Sequence, residues 1–138
     1  MAHILVVDDQ TEICEVLKAG LETAPEFYVS CCNNGPDAIA ILDEHEPDFA
    51  VVDVLIPGVP GIDVAHTAIE RNIPVLFMTG NPDTARELLD AKVPCIVKPF
   101  RLGYLIEQVR SHLETREDNL RQIGAFLAVR GSGSKPAR

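Results

Sequence analysis

No apolar run in the 138 residues approaches the roughly 20 that a membrane-crossing helix needs, so no spanning segment and no membrane partner are expected. Bases are scarce too: 12 Lys and Arg stand against 21 Asp and Glu, a formal net charge of -9. That is the wrong sign for a domain that neutralises nucleic-acid phosphates, and no nucleic acid is expected as a partner. The four cysteines, Cys14, Cys31, Cys32 and Cys95, lack C-x-x-C or zinc-type Cys/His spacing and read as reduced packing residues. Met1-Ala2-His3 leads straight into Ile4-Leu5-Val6-Val7, without the basic segment, long apolar segment or cleavage site of a secretory leader. The expected location is therefore cytoplasmic. Tryptophan is absent and aromatics make up only 5%, yet 46% of residues are hydrophobic and 24% charged, the composition of one ordinary globular domain. A chain of this length buries roughly two thirds of its unfolded surface, so it needs no staple to complete a core.

Residues 3–7, 49–52, 73–78 and 94–97 form apolar runs with the length of buried strands, and 27–32 is rich in strand formers. Between them, apolar residues recur at helical steps: Ile13, Val16, Leu17 and Leu21; Ala38, Ile41 and Leu42; Ile62, Ala65 and Ile69; Leu88 and Leu89. Gly35-Pro36-Asp37 and Asn81-Pro82-Asp83 place Pro and then an acid where helices start. Five strand–helix units imply an α/β fold with a parallel sheet covered by helices on both faces, and the flavodoxin-like strand order 2-1-3-4-5 is the natural arrangement. The last helical stripe is long. Leu102, Ile106, Val109 and Leu113 continue with the same spacing through Arg116, Leu120, Ile123 and Leu127. The spacing predicts a single helix carrying an apolar face past the domain edge, to pack on a second copy, on a partner protein or back on the domain. The charge changes at the same place, since residues 1–114 hold 19 acids and 7 bases and residues 115–138 hold 2 and 5. The expected layout is a domain over 1–114, an extension of the last helix over 115–130 and a disordered Gly/Ser tail over 131–138.

The reactive residues stand where strands end. Asp8 and Asp9 follow the first strand, Asp53 the third, Thr79 the fourth and Lys98 the fifth. In a doubly wound sheet the carboxyl ends converge on one crevice, so one site is expected to hold all five. Three carboxylates at close quarters repel, and the available compensations are the Lys98 ammonium and a divalent cation. Oxygen ligands without His or Cys favour Mg²⁺. Such a site suits phosphoryl transfer to a carboxylate, with Asp53, alone on its strand, as acceptor and the Thr79 hydroxyl as a donor to a phosphoryl oxygen.

Val6-Val7-Asp8-Asp9, Val51-Val52-Asp53 with Pro57 and Gly61 beyond it, Met78-Thr79-Gly80 and Val97-Lys98-Pro99-Phe100 together resemble the receiver domain of bacterial two-component response regulators, over about residues 3–114. The resemblance implies a (βα)₅ fold and phosphorylation of Asp53 by a histidine kinase or phosphotransfer protein. It also implies Mg²⁺ held by Asp8, Asp9, Asp53 and the backbone carbonyl of Leu55, a switch hydroxyl at Thr79, a phosphoryl partner at Lys98 and a cis Lys98-Pro99 bond. Phe77-Met78-Thr79-Gly80 with Lys98-Pro99-Phe100 is similar in part to stand-alone receivers bearing a Phe-Ala-Thr-Gly motif, from which Asn81-Pro82 departs.

Two further departures concern output. Cys95 stands where most receivers carry an aromatic ring, and Leu55 places an apolar side chain near the entrance to the site. The roughly 24 residues after Glu114 are too few for a helix-turn-helix effector domain. The leading expectation is a single-domain response regulator that is not itself an enzyme and signals through a downstream protein. A scaffold independent of phosphorylation would need a broken acidic site. A phosphatase or nucleotide enzyme would call for a Gly-rich loop where Asp9-Gln10-Thr11 stands.

Overall fold

The structure, a computed structural model, describes residues 1–56 and 58–134, with side chains through residue 129. Its elements run β1 (Ala2–Val7), α1 (Thr11–Leu21), β2 (Phe27–Cys32), α2 (Gly35–His45), β3 (Phe49–Asp53), α3 (Gly61–Glu70), β4 (Val75–Thr79), α4 (Pro82–Asp90), β5 (Cys95–Val97), α5 (Leu102–Glu114) and α6 (Arg116–Ser134). The strands form one parallel sheet in the order β2-β1-β3-β4-β5, as the alternation of apolar runs and helical stripes predicts. Successive strand residues point to opposite faces, and two cores result. Leu5, Val7, Ala50, Val52, Val75 and Phe77 pack under α2, α3 and α4, while Ile4, Val6, Phe49, Val51, Leu76 and Met78 pack under α1 and α5. Continuous apolar strands are what burial on both faces requires.

The helix starts are set by local chemistry. Asn34 Oδ1 accepts from the Asp37 N–H at 2.8 Å, and Asn81 Oδ1 accepts from Asp83 and Thr84 at 2.9 and 3.0 Å, each satisfying donors that the first turn leaves unpaired. Pro36 and Pro82 fall in the first turn, where a missing N–H costs nothing.

The last stripe is not one helix. At Thr115 the backbone leaves the helical region (φ -110°, ψ 46°), and α6 starts immediately beyond it. The helix α6 passes to the opposite sheet face from α5, packing on α3 and reaching β4. Ile123 and Leu127 are fully buried in the core shared by α2, α3 and α4, and Phe126 meets Phe77 edge-on with centroids 6.4 Å apart. Of the three destinations open to the apolar extension, the domain itself takes Ile123 and Leu127. The turn is fastened by polar contacts. Asn119, fully buried, accepts from the Val75 N–H at 3.0 Å and donates to the Val75 carbonyl at 2.9 Å, and the Arg116 guanidinium donates to the Asn72 carbonyl. Residues 131–134 continue α6 where a disordered tail was expected, and 135–138 lie outside the described residues. Among the described residues no helix is long and apolar enough to cross a membrane.

Candidate functional site

Asp8 follows the last residue of β1, Asp53 ends β3, Thr79 ends β4 and Lys98 follows β5. The parallel register aligns these carboxyl ends, and the crevice opens between β1 and β3, the adjacent strands from which the chain departs toward opposite sides of the sheet. Carboxylate oxygens of Asp8, Asp9 and Asp53 all lie within 4.8 Å of one another. Asp8 is 0% and Asp53 7% exposed, whereas Asp9 faces solvent.

Lys98 joins the two buried acids. Its Nζ donates to Asp8 Oδ2 at 2.6 Å and to Asp53 Oδ2 at 2.8 Å. The remaining oxygens are met by backbone: the Gln10 N–H donates to Asp8 Oδ1 at 3.0 Å and the Leu55 N–H to Asp53 Oδ1 at 2.9 Å. Burial pushes the Asp53 carboxyl above the ordinary carboxylate range, opposed by the hydrogen bonds from Lys98 and Leu55. For Lys98, burial disfavours the ammonium, but hydrogen bonds to Asp53 and Asp8 outweigh it and the pKa is raised. The ammonium is therefore held charged between two acids.

The residues singled out in the sequence divide into two groups. Asp8, Asp9, Asp53 and Lys98 form one cluster. Thr79 lies at the same sheet edge and is buried; its Oγ1 accepts from the Asn81 N–H at 3.1 Å, and its carbonyl accepts from the Lys98 N–H at 2.8 Å. Leu55 is 63% exposed beside Asp53 and touches the cluster through its N–H. The Lys98-Pro99 bond is cis. The role of Gly61 was not legible. A Cβ placed there would lie 2.4 Å from the Asp53 carbonyl oxygen and 2.9 Å from Val54 Cα, so the backbone carrying Asp53 can approach α3 only because residue 61 has no side chain. The spacing of Gly61 from Asp53 was a visible signal, but the contact it permits was not.

Parallel order, an acid trio at the switch point and a lysine bridging it define the class of protein. The chain belongs to the response regulator receiver domain family, which it matches over residues 4–110. It is 30% identical over 120 residues to the "DNA-binding response regulator MtrA" of Mycolicibacterium smegmatis, an alignment that covers 84% of this chain and 52% of that protein. The chain thus spans about half the length of the curated relatives it matches. Among solved structures, it resembles the receiver domain of the Francisella response regulator 1452, with a TM-score of 0.73 and 22% identity over 83% of this chain and 98% of that one. A CheY-like receiver protein from Methanospirillum hungatei gives a TM-score of 0.72 and 23% identity over 86% and 98%. Both likenesses concern the fold.

Proposed function

We propose that this receiver accepts a phosphoryl group on Asp53 from a histidine kinase or histidine phosphotransfer protein and signals by contact with a downstream protein. The observation that carries the reading is the bridge from Lys98 to both Asp53 and Asp8 beside the exposed carboxylate of Asp9. An Asp53 oxygen attacks phosphorus, the P–N bond of a phosphohistidine breaks, and its electron pair stays on the imidazole nitrogen. The Lys98 ammonium, already 2.8 Å from the acceptor carboxylate, is placed to meet a phosphoryl oxygen and neutralise charge there.

The donor set fits Mg²⁺: it is all oxygen, and the exposed Asp9 opens it to solvent. Asp8, Asp9, Asp53 and the Leu55 carbonyl would hold the ion, which when bound neutralises charge on the transferred group. In this reading Thr79 donates its hydroxyl to the phosphoryl group after giving up the Asn81 contact. Leu55, exposed at the mouth, hinders the water that hydrolyses the acyl phosphate. The site acts as a signalling acceptor and not as an enzyme on other substrates. We also propose a cytoplasmic location, where such donors reside, and output without nucleic-acid contact, in keeping with the net charge of -9.

Beryllofluoride, a phosphoryl mimic, tests the reading by titration calorimetry with MgCl₂ present. Binding at one site that is lost in Asp53→Asn is expected. No binding to the folded chain would favour a scaffold independent of phosphorylation.

A further inference from the structure

The proposed function leaves the cysteines unused, and the fold sorts them. Cys31 and Cys32 are consecutive on β2, so their side chains go to opposite faces. Cys31 packs against the core under α1 and α5, in which Cys14 of α1 is buried. Cys32 and Cys95 pack against the other core. Cys14 and Cys31 are therefore brought together, while Cys32 and Cys95 lie across the sheet from that pair. Contact agrees with this: the Cys31 thiol donates to the Cys14 carbonyl oxygen at 3.1 Å. Cys32, by contrast, directs its thiol toward the Asn34 carbonyl.

Access is present. A cleft of about 360 Å³ is walled by Cys14 and Cys31 together with Thr11, Cys32 and Asn33. Cys31 is half-buried and Cys14, though only 3% exposed, forms part of the cleft wall. All four cysteines are free thiols.

We propose that Cys14 and Cys31 are a thiol pair that a hydroperoxide converts into an intrachain disulfide joining α1 to β2. One sulfur attacks the O–O bond, giving a sulfenic acid and one water (or the alcohol of an organic peroxide). The second sulfur then attacks the first, the S–O bond breaks, and the departing hydroxide leaves as water with the second thiol's proton. Two thiols are oxidised and one peroxide is reduced. The cross-link removes the S–H that Cys14 directs toward the carbonyls of Cys32, Asp8 and Val6 at 3.3, 3.6 and 3.9 Å, immediately behind the acidic pair.

Hydrogen peroxide on the full chain, followed by alkylation, non-reducing trypsin digestion and mass spectrometry, tests this. Cleavage after Lys18 and Arg71 separates the two cysteines, so the disulfide joins peptide 1–18 to peptide 19–71. Two of the four thiols should disappear and return with dithiothreitol. The link should persist in Cys32→Ser and vanish in Cys31→Ser, each checked for an unchanged melting transition. Four surviving thiols, a link that includes Cys95 or joins two chains, a link that persists in Cys31→Ser, or thiol loss that dithiothreitol does not reverse would each overturn the proposal.

Discussion

Removing the Lys98 ammonium leaves Asp8, with no exposure, and Asp53 facing each other without their shared cation. Breaking a buried ion pair from one side strands the remaining charge, so Lys98→Met should lower unfolding stability by about 3 kcal/mol in metal-free buffer. Urea denaturation measures it, and an unchanged midpoint would show that the bridge contributes nothing. Gly61 acts by what it lacks. Gly61→Ala forces a Cβ to within 2.4 Å of the Asp53 carbonyl oxygen, so the end of β3 must move. A displacement of this kind should slow phosphorylation by acetyl phosphate about tenfold or more while the circular dichroism stays native. At Leu55, an exposed apolar side chain beside the proposed acceptor Asp53, Leu55→Asn should speed loss of the phosphoryl group; an unchanged rate would remove Leu55 from the account. The site residues were legible because each closes an apolar run, and a parallel sheet carries such positions to one edge. The bridging role of Lys98 toward both acids was anticipated only as charge compensation, since sequence spacing carries no distances.

Among the elements, α6 departs most from its sequence reading. The 4-3-4 spacing from Leu102 to Leu127 is consistent with one helix, but a break at Thr115 preserves the spacing on either side and redirects the chain. Periodicity cannot register a turn that keeps its phase. Arg116, the one residue interrupting the stripe, was the available signal, and its guanidinium now binds the Asn72 carbonyl beside the break. Asn119 looks like an ordinary surface polar residue in sequence, because nothing local reveals that the N-terminal end of β4 is its partner. Asn119→Ala would leave the Val75 N–H and carbonyl without those bonds, at a cost of about 2–4 kcal/mol. Ile123→Ala, opening a cavity in the core, should cost a similar amount. Both are read from denaturant midpoints. If α6 were an unfastened extension, neither substitution would shift them. Cutting after Glu114 should likewise lower the denaturant midpoint, because it removes Ile123 and Leu127 from the core.

Across the whole molecule, two faces of one sheet carry different tasks: α5 and α1 close one core, while α6 crosses beneath the sheet to help close the other. His112 sits at that crossing, and burial lowers its pKa below the ordinary value of 6.5. The Asn119 Oδ1 is taken by the Val75 N–H, so its Nδ2 points to His112 Nδ1 at 3.1 Å and that nitrogen must be the neutral acceptor. A histidine with a lowered folded pKa binds fewer protons when native than when unfolded. Its contribution is therefore complete above about pH 6.5 and lost as pH falls through the folded pKa. Stability should decline from pH 7.5 to 5.5, less steeply in His112→Gln; equal slopes would contradict the assignment. The central claim, that Asp53 is the acceptor which the sheet edge assembles, is tested most directly by incubating the chain with acetyl phosphate and MgCl₂ and mapping the adduct by mass spectrometry. The account predicts a single phosphoryl group on Asp53, absent without Mg²⁺ and absent in Asp53→Asn. A folded chain that takes no label, or carries it on another residue, would contradict it.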